Sequence, residues 1–473
     1  MNKKAIIWFR QDLRIHDNEA LSDALHSTHR IIPVFIFDER TFRGTTRFGF
    51  PKTSKFRLQF IIEAVEDLRE SLNKFGLPLI VRIGKPEEII TEIAVEHKTS
   101  WVFCNRERTT EELYVQDQLE ANLWTIGQEV RYSRGKMLYY TADLPFPITH
   151  TPDSFTAFRK EVEKITPIRK PISVNFDNAL NGAPEMENGE IPSLSDFGFK
   201  HDFTPILSGG ESAALKRLQH YLWESNFIQK YKETRNESEG LDYSSKFSAY
   251  LSQGCLSTKM IMQELIKYED ERTKNDSTYW LFFELLWRDF FRLMGKKYEE
   301  KIFLVGGIKG IPRSDLSNNR KLFKIWAEGK TGYPFIDACM RQLNSTGYMS
   351  NRGRQNVASF LINNLGVNWQ LGAEYFESLL TDYDPCSNWG NWNYLAGVGA
   401  DLRENRILNV VMQSKKYDPD ARLIRKWCPE LDALPSNMIH FPSQFSTEEL
   451  EKYDIILGKD YPKPIVNATA PVQ

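Results

Sequence analysis

Ala5-Ile-Ile-Trp-Phe9, then Asn18–His26 with helical apolar spacing, then Ile31-Ile-Pro-Val-Phe-Ile-Phe37, reads as strand, helix, strand. The alternation continues through a helical Thr53–Phe75, a strand at Pro78–Ile83, a helix at Pro86–His97, a strand at Trp101–Cys104 and a helix at Thr109–Trp124. In the longest helix Leu58, Ile61, Ile62, Val65, Leu68 and Leu72 recur at i, i+3, i+4 and i+7, so one face is apolar. Strands alternating with helices predict a doubly wound parallel α/β sheet, whose ligand crevice lies at the carboxyl ends of its strands. No G-x-G-x-x-G follows the first strand, which argues against an ordinary dinucleotide-binding domain.

The pattern breaks after residue 134. Proline recurs from Pro145 to Pro205 and Asn178–Glu190 is polar, so 135–208 reads as a connector with a short helix near Ser154–Ile165. From Glu211 to about Trp427 the spacing is helical almost throughout. The expected organisation is 1–134 α/β, 135–208 connector and 209–473 helical domain, with the tail after Ser446 fraying or wrapping the surface. Tyr279–Lys297 is apolar nearly all round, as in a buried helix, and sets Glu284, Arg288 and Arg292 on one face.

The composition is that of a globular protein: 41 % hydrophobic, 26 % charged, with 13 % aromatic residues among 473. A net charge of −2 excludes a uniformly basic nucleic-acid binder but leaves room for a local basic groove. The five cysteines are scattered and form no C-x-x-C pair, which argues against a disulfide framework or a metal site and for a reducing, cytoplasmic setting. No apolar run approaches the ~20 residues of a membrane span, and the N-terminus runs into a strand without a signal-peptide core.

The chemistry concentrates in Gly347–Tyr394. Gly347-Tyr-Met-Ser-Asn-Arg-Gly-Arg-Gln-Asn-Val-Ala-Ser-Phe360 is followed by Trp369 and by Asp382-Tyr-Asp-Pro-Cys-Ser-Asn-Trp-Gly-Asn-Trp-Asn-Tyr394. Carboxylates, arginines and amides here suit an anionic, heteroatom-rich cofactor, since a buried polar group needs a partner. Indoles along the same region can be oxidised one electron at a time, and together these point to a light- or redox-driven flavin site. Tyr243-Ser-Ser-Lys-Phe-Ser248 opens a helical run, where hydroxyls and free N–H groups make a phosphate cradle; an N-cap is the plainer reading. Glu284–Arg288 and Arg354–Asp382 are each readable as structural ion pairs, and each tryptophan singly as core packing.

Taken in order, these motifs resemble the photolyase/cryptochrome family, specifically its DASH-type cryptochromes, over nearly the whole chain. The resemblance is carried by Trp8-Phe-Arg-Gln-Asp-Leu-Arg-Ile-His-Asp-Asn18, Phe50-Pro-Lys-Thr53, Leu286-Trp-Arg-Asp-Phe290, Gly329-Lys-Thr-Gly-Tyr-Pro334, Met349–Phe360 and Cys386–Tyr394. It implies FAD folded into a U in the helical domain, with Tyr231, Ser244, Ser245, Lys246, Phe247 and Ser248 around the pyrophosphate. Glu284 and Arg288 also fall among the implied FAD contacts. Arg354 and Asp382 would lie as an ion pair against the isoalloxazine, with Asp384 and Asn351 nearby, and Asn388 would face flavin N5. Charge placed there tunes the cofactor. Trp392 and Trp369 match the two inner members of the family's electron-hopping chain, but the outermost position falls on Leu316, which cannot be oxidised. Either a shifted loop supplies a substitute Trp or Tyr, or the outer step is missing.

For substrate, Glu284, Trp287, Asn351 and Tyr394 match positions that contact a flipped pyrimidine dimer, the rings as walls and the polar groups as partners for the base edges. Tyr394 replaces a Trp common in duplex-acting enzymes, in keeping with a preference for single-stranded DNA. Glu107, which follows a strand in Asn105-Arg-Glu107, matches the carboxylate that contacts a 5,10-methenyltetrahydrofolate antenna. Arg403, Arg406, Lys415, Lys416, Arg422, Arg425 and Lys426 outnumber Glu404, Asp418 and Asp420 and form a candidate DNA face, a solvated helix being the alternative. The implied activity is a monomeric, light-driven lyase acting on cyclobutane pyrimidine dimers in single-stranded DNA, with other DNA or RNA as alternative ligands. A blue-light receptor is the alternative. The lack of a long C-terminal extension tilts the expectation toward the enzyme.

Overall fold

The computed structural model describes residues 3–399 and 407–468. β1 (Lys4–Phe9), β2 (Arg30–Asp38), β3 (Ile80–Gly84), β4 (Trp101–Asn105) and β5 (Glu129–Ser133) lie in the order β3-β2-β1-β4-β5, all parallel. The compact apolar runs form strands that pair in parallel in one sheet, β1, β2 and β4 inside it and β3 at its edge. The register pairs Ile6 with Ile32 and with Val102. A sixth, two-residue strand, Leu180–Asn181, pairs with the start of β2. The predicted doubly wound sheet is present. Its four predicted strands and helices appear within a few residues of their expected limits.

The chain separates into two compact units. Unit 1 comprises Met1–Lys232, Ser245–Glu300 and Thr381–Ser387, and holds the sheet with its flanking helices. It also holds helices Glu211–Gln219, Phe247–Gln253, Thr258–Glu271 and the long Asp276–Tyr298. That last helix starts at a capping box in which Asn275 accepts from Thr278 N.

The opening motif Trp8–Asn18 is the clamp of unit 1. Glu211 accepts hydrogen bonds from the backbone N–H groups of Ile15 (2.8 Å) and His16 (3.0 Å). Arg14 donates to Gly254 O at 2.8 Å, and Lys259 pairs with Asp17 at 2.7 Å. Gly254 sits at φ +69°, where a Cβ would lie 2.1 Å from Gln11 O, so only glycine fits.

Unit 2 comprises Glu233–Ser244, Lys301–Leu380 and Asn388–Gln473. Its described part is helical, led by Pro334–Thr346, Asn351–Ser359 and Trp369–Leu379. Of the two expectations for the tail, fraying or wrapping, the described part to Ala468 does not fray but packs onto the unit. Tyr461 is buried and donates to Asp337 Oδ2 at 2.5 Å, while Tyr333 donates to Val466 O at 2.8 Å and accepts from Ala468 N at 2.7 Å. The Gly329–Pro334 motif forms this dock: Thr331 N and Oγ1 both donate to Asp337 Oδ1 at 2.7 Å. Among the described residues no helix is long and apolar enough to cross a membrane.

Candidate functional site

The strand order reverses beside β1, which makes the carboxyl ends of β1 and β4 the crevice where such sheets bind ligands. The crevice is filled with the chain's own polar groups. Asn105 donates to Asp12 Oδ2 at 2.5 Å, and Arg10 Nη1 and Glu107 N converge on Gln116 Oε1 at 2.7 and 2.8 Å. Glu107 itself is 3 % exposed. Lys136 reaches its Oε1 at 2.5 Å and Arg292 its Oε2 at 3.3 Å. Glu107 is therefore a buried anion with a cation on each of its oxygens.

Arg292 is 3 % exposed and bridges two acids, because its other arm meets Asp384 Oδ2 at 3.2 Å. Burial raises the Glu107 and Asp384 carboxyls, but Lys136 and Arg292 outweigh it for Glu107, and Arg292 and Arg288 for Asp384. Both are held below the usual carboxylate range. Burial pushes the Lys136 ammonium down to about 8, against the pull of Glu107. One turn before Arg292, Arg288 donates to the carbonyls of Lys136 (2.8 Å) and Leu251 (3.1 Å). Asp289 turns the other way and accepts from Leu138 N (3.1 Å) and Tyr139 N (2.9 Å); burial raises its carboxyl to about 6. Lys136, Asp289 and Arg292 carry this network and were not among the sequence candidates. The only signal toward it was the shared helix face of Glu284, Arg288 and Arg292, with Asp289 inside the Leu286–Phe290 motif.

Asp384 also accepts from Ser387 N at 2.8 Å, capping the helix Pro385–Leu395, whose first residue is a proline suited to that place. One carboxylate thus joins the Arg292 network to the start of the helix that carries Asn388 and Trp392. Asp382, two residues earlier, is buried.

Glu284 and Trp287 are half-buried on the helix Asp276–Tyr298, whereas Leu285, Leu286 and Phe290 beside them are buried. Trp287 stacks on Phe155 with centroids 3.7 Å apart and planes 8° apart, which braces one face of the indole. Tyr231 and Phe247 both pack edge-on against Tyr221, at 6.4 and 6.0 Å. Between them in sequence, Lys246 takes a left-handed backbone (φ 59°, ψ 20°) before the helix Phe247–Gln253, and Arg217 Nε holds Ser245 O at 2.9 Å. Successive N–H groups turned through such a left-handed step form a nest for anionic oxygens. Ser245 and Lys246 are buried there and Ser248 is exposed.

In unit 2, Ser350 caps the helix Asn351–Ser359, accepting from Gly353 N at 3.1 Å. Asn351 is exposed and Tyr394 half-buried. Arg354 Nε donates to Met349 O at 2.9 Å, and its guanidinium lies over Tyr348. Asn388 Nδ2 donates to Ala373 O at 3.0 Å. A carbonyl can only accept, so this bond settles which end of the amide is nitrogen and frees Oδ1 to act as an acceptor.

Trp392 lies over Gly372, where a Cβ would stand 2.2 Å from the ring; the helix Trp369–Leu379 approaches the indole only because that residue lacks a side chain. Ser244, the first hydroxyl of the cradle, is half-buried in this unit. Trp369 donates to Val305 O at 3.1 Å and meets Trp389 edge-on at 5.7 Å. No loop shift rescues position 316. Ser317 N bonds Gly366 O and Asn368 N bonds Ser317 O, both at 2.8 Å, fixing Leu316 beside the start of Trp369's helix. Residues 299–325 contain neither Trp nor Tyr.

The basic run is less cationic than its composition suggests. Lys426 pairs with Glu239 at 2.5 Å and Arg425 with Asp432 at 3.2 Å. Lys416 and Arg422 share the wall of a cavity of about 470 Å³ with Glu233, Glu237, Glu239 and Asp420. Arg403, Glu404 and Arg406 lie outside the described residues.

The chain matches the FAD binding domain of DNA photolyase over residues 280–473 and the DNA photolyase domain over residues 5–174. It is 45 % identical to a cryptochrome DASH of Gloeobacter violaceus over 98 % of this chain and 93 % of that one. It is 46 % identical to that of Xenopus laevis over 98 % of this chain and 90 % of that one. The chain belongs to the DASH cryptochromes of the photolyase family. Among solved structures it resembles a Synechocystis sp. cryptochrome at TM-score 0.94 and 45 % identity, over 99 % of this chain and 98 % of that one. A class III photolyase from Agrobacterium tumefaciens follows at TM-score 0.85 and 29 % identity, over 99 % and 95 %. Membership makes the chain an FAD-binding flavoprotein, and the residues fit that group: buried carboxylates held ionised, an amide with a fixed acceptor, and a left-handed nest at a serine-rich turn.

Proposed function

We propose that this chain is a light-driven lyase that splits cyclobutane pyrimidine dimers, preferentially in single-stranded DNA. The observation that carries the reading is the half-buried pair Glu284 and Trp287, close together on the long helix, with Trp287 braced by Phe155. A half-buried indole braced by a stacked ring offers a wall for a flipped base. Glu284 beside it can accept hydrogen bonds from the base edge. Asn351 and Tyr394 supply the second polar contact and the second wall. Bound FAD, reduced and excited by blue light, supplies the electron that opens the cyclobutane ring and takes it back afterwards. Around it, Arg354 and Asp382 orient the ring system, and Tyr231, Ser244, Ser245, Lys246, Phe247 and Ser248 hold the phosphates. Asn388 offers Oδ1 to a protonated nitrogen, and Asp384, kept ionised by Arg292, sustains a fixed local charge.

Single-stranded preference follows from Tyr394, a smaller ring than the Trp of duplex-acting relatives, since a lesion in a single strand needs less energy to unstack. The five cysteines are all buried free thiols, which supports a reducing, cytoplasmic setting. A 5,10-methenyltetrahydrofolate antenna at Glu107 is an accessory part of the proposal, and absorbance of cofactors released from the purified protein tests it. The lyase itself is tested by illuminating the reduced protein with dimer-containing oligonucleotides and counting dimers. Loss of dimers in single strands is expected. A blue-light receptor without repair activity would leave them intact in single and double strands alike.

A further inference from the structure

The position expected to carry the outer electron donor is Leu316, which cannot be oxidised. From Trp369 the ring contacts run to Trp389 at 5.7 Å and from Trp389 to Phe303 at 5.0 Å, where a benzene ring is far harder to oxidise than an indole or phenol. A second path leaves Trp392 in another direction. Trp392 meets Phe376 edge-on at 5.1 Å, Phe376 lies nearly parallel to Trp326 at 6.4 Å, and Trp326 contacts Tyr375 at 6.1 Å. Every ring on this path belongs to unit 2. Trp326 is wholly buried with its N–H on Val357 O at 2.9 Å, while Tyr375 is half-buried and donates to Asn344 Oδ1 at 2.7 Å.

We propose that electrons refilling Trp392 travel through Tyr375 and Trp326, with Phe376 as the packed ring between the two indoles, and that Tyr375 is the exit to solvent. This rests on the flavin photochemistry proposed above. One electron leaves the Trp392 indole for photoexcited oxidised flavin, Trp326 replaces it, and Tyr375 replaces that one. Tyr375 then releases its phenolic proton to water, because the Asn344 amide oxygen can accept a hydrogen bond but cannot keep the proton. An external thiol returns the last electron and proton to Tyr375. Burial pushes the phenol up to about 12, so the ring enters the sequence protonated.

The test uses the FAD-loaded full chain with dithiothreitol as the thiol. It records electron paramagnetic resonance after blue-light illumination and the rate of flavin bleaching. A tyrosyl signal in the unmodified protein is expected, lost in Tyr375→Phe, which removes only a hydroxyl. Flavin bleaching is expected to be lost in Trp326→Phe at unchanged FAD content. Bleaching lost in Trp392→Phe but intact in both Trp326→Phe and Tyr375→Phe would overturn this exit alone. Bleaching that survives Trp392→Phe would overturn the exit and the hopping site from which it starts.

Discussion

Replacing Arg292 with methionine keeps the volume of the side chain and removes the cation that Glu107 and Asp384 share. The two contacts, 3.3 Å and 3.2 Å, sit at the long end for charge-assisted hydrogen bonds. Each such bond contributes about 1.5–3 kcal/mol, and their length favours the lower value, so the pair contributes about 3–4 kcal/mol. That agrees with the cost of about 3–5 kcal/mol for breaking a buried ion pair by removing one partner. For a chain of this size the expected fall in melting temperature is about 3–6 °C at neutral pH.

The pH dependence gives the sharper test. Both carboxyls are held below their ordinary range, so their contribution is complete above the unfolded values near about 4 and is lost as pH falls through the folded values. In Arg292→Met burial is opposed by Lys136 and Arg10 for Glu107, and by Arg288 and the Ser387 hydrogen bonds for Asp384; with the shared cation gone, both carboxyls take up protons at higher pH than in the unmodified protein. The deficit relative to the unmodified protein should therefore shrink on acidification toward about pH 5. Calorimetry across pH reads this directly. A variant that melts with the unmodified protein at neutral pH, or whose deficit grows on acidification, refutes the assignment of Arg292 as the shared counter-ion.

Other outcomes follow from single contacts. Asp289→Ala strands the N–H groups of Leu138 and Tyr139 in a buried site and should cost about 2–5 kcal/mol, read as a lowered unfolding midpoint. Gly372→Ala drives a methyl into the Trp392 ring and should cost about 1–3 kcal/mol, with a shifted tryptophan emission and less retained FAD. Leu316→Trp restores an oxidisable ring beside Trp369 and should speed flavin photoreduction over the unmodified chain, followed by absorbance under blue light.

Much of this was legible in advance because it is local. Strands β1 to β4 announce themselves as apolar runs, and the long helix of unit 1 as an apolar segment. β5 was missed because Glu129-Val-Arg-Tyr-Ser133 is an edge strand with alternating exposure, and its sequence looks like a loop. Motif order named the candidate flavin residues, but not what holds them. Glu107 and Arg292 lie 185 positions apart, and no periodicity links them. The Trp8–Asn18 and Gly329–Pro334 motifs carried the resemblance, and what they do became visible only in the fold, where they clamp helices and dock the tail. The charge run at Lys415–Lys426 shows the same limit, since Glu239 and Asp432, remote or unremarkable in sequence, pair with Lys426 and Arg425.

The central claim is that Glu284 and Trp287 receive a flipped dimer for light-driven splitting. The direct measurement is the dimer content of a single-stranded oligonucleotide after blue-light illumination with the reduced, FAD-loaded protein, alongside a dark control and a Trp287→Ala variant. The account predicts light-dependent loss of dimers, strongly reduced in the variant at equal FAD content. Dimers that persist in the light with fully reduced protein, in single and double strands, would contradict it.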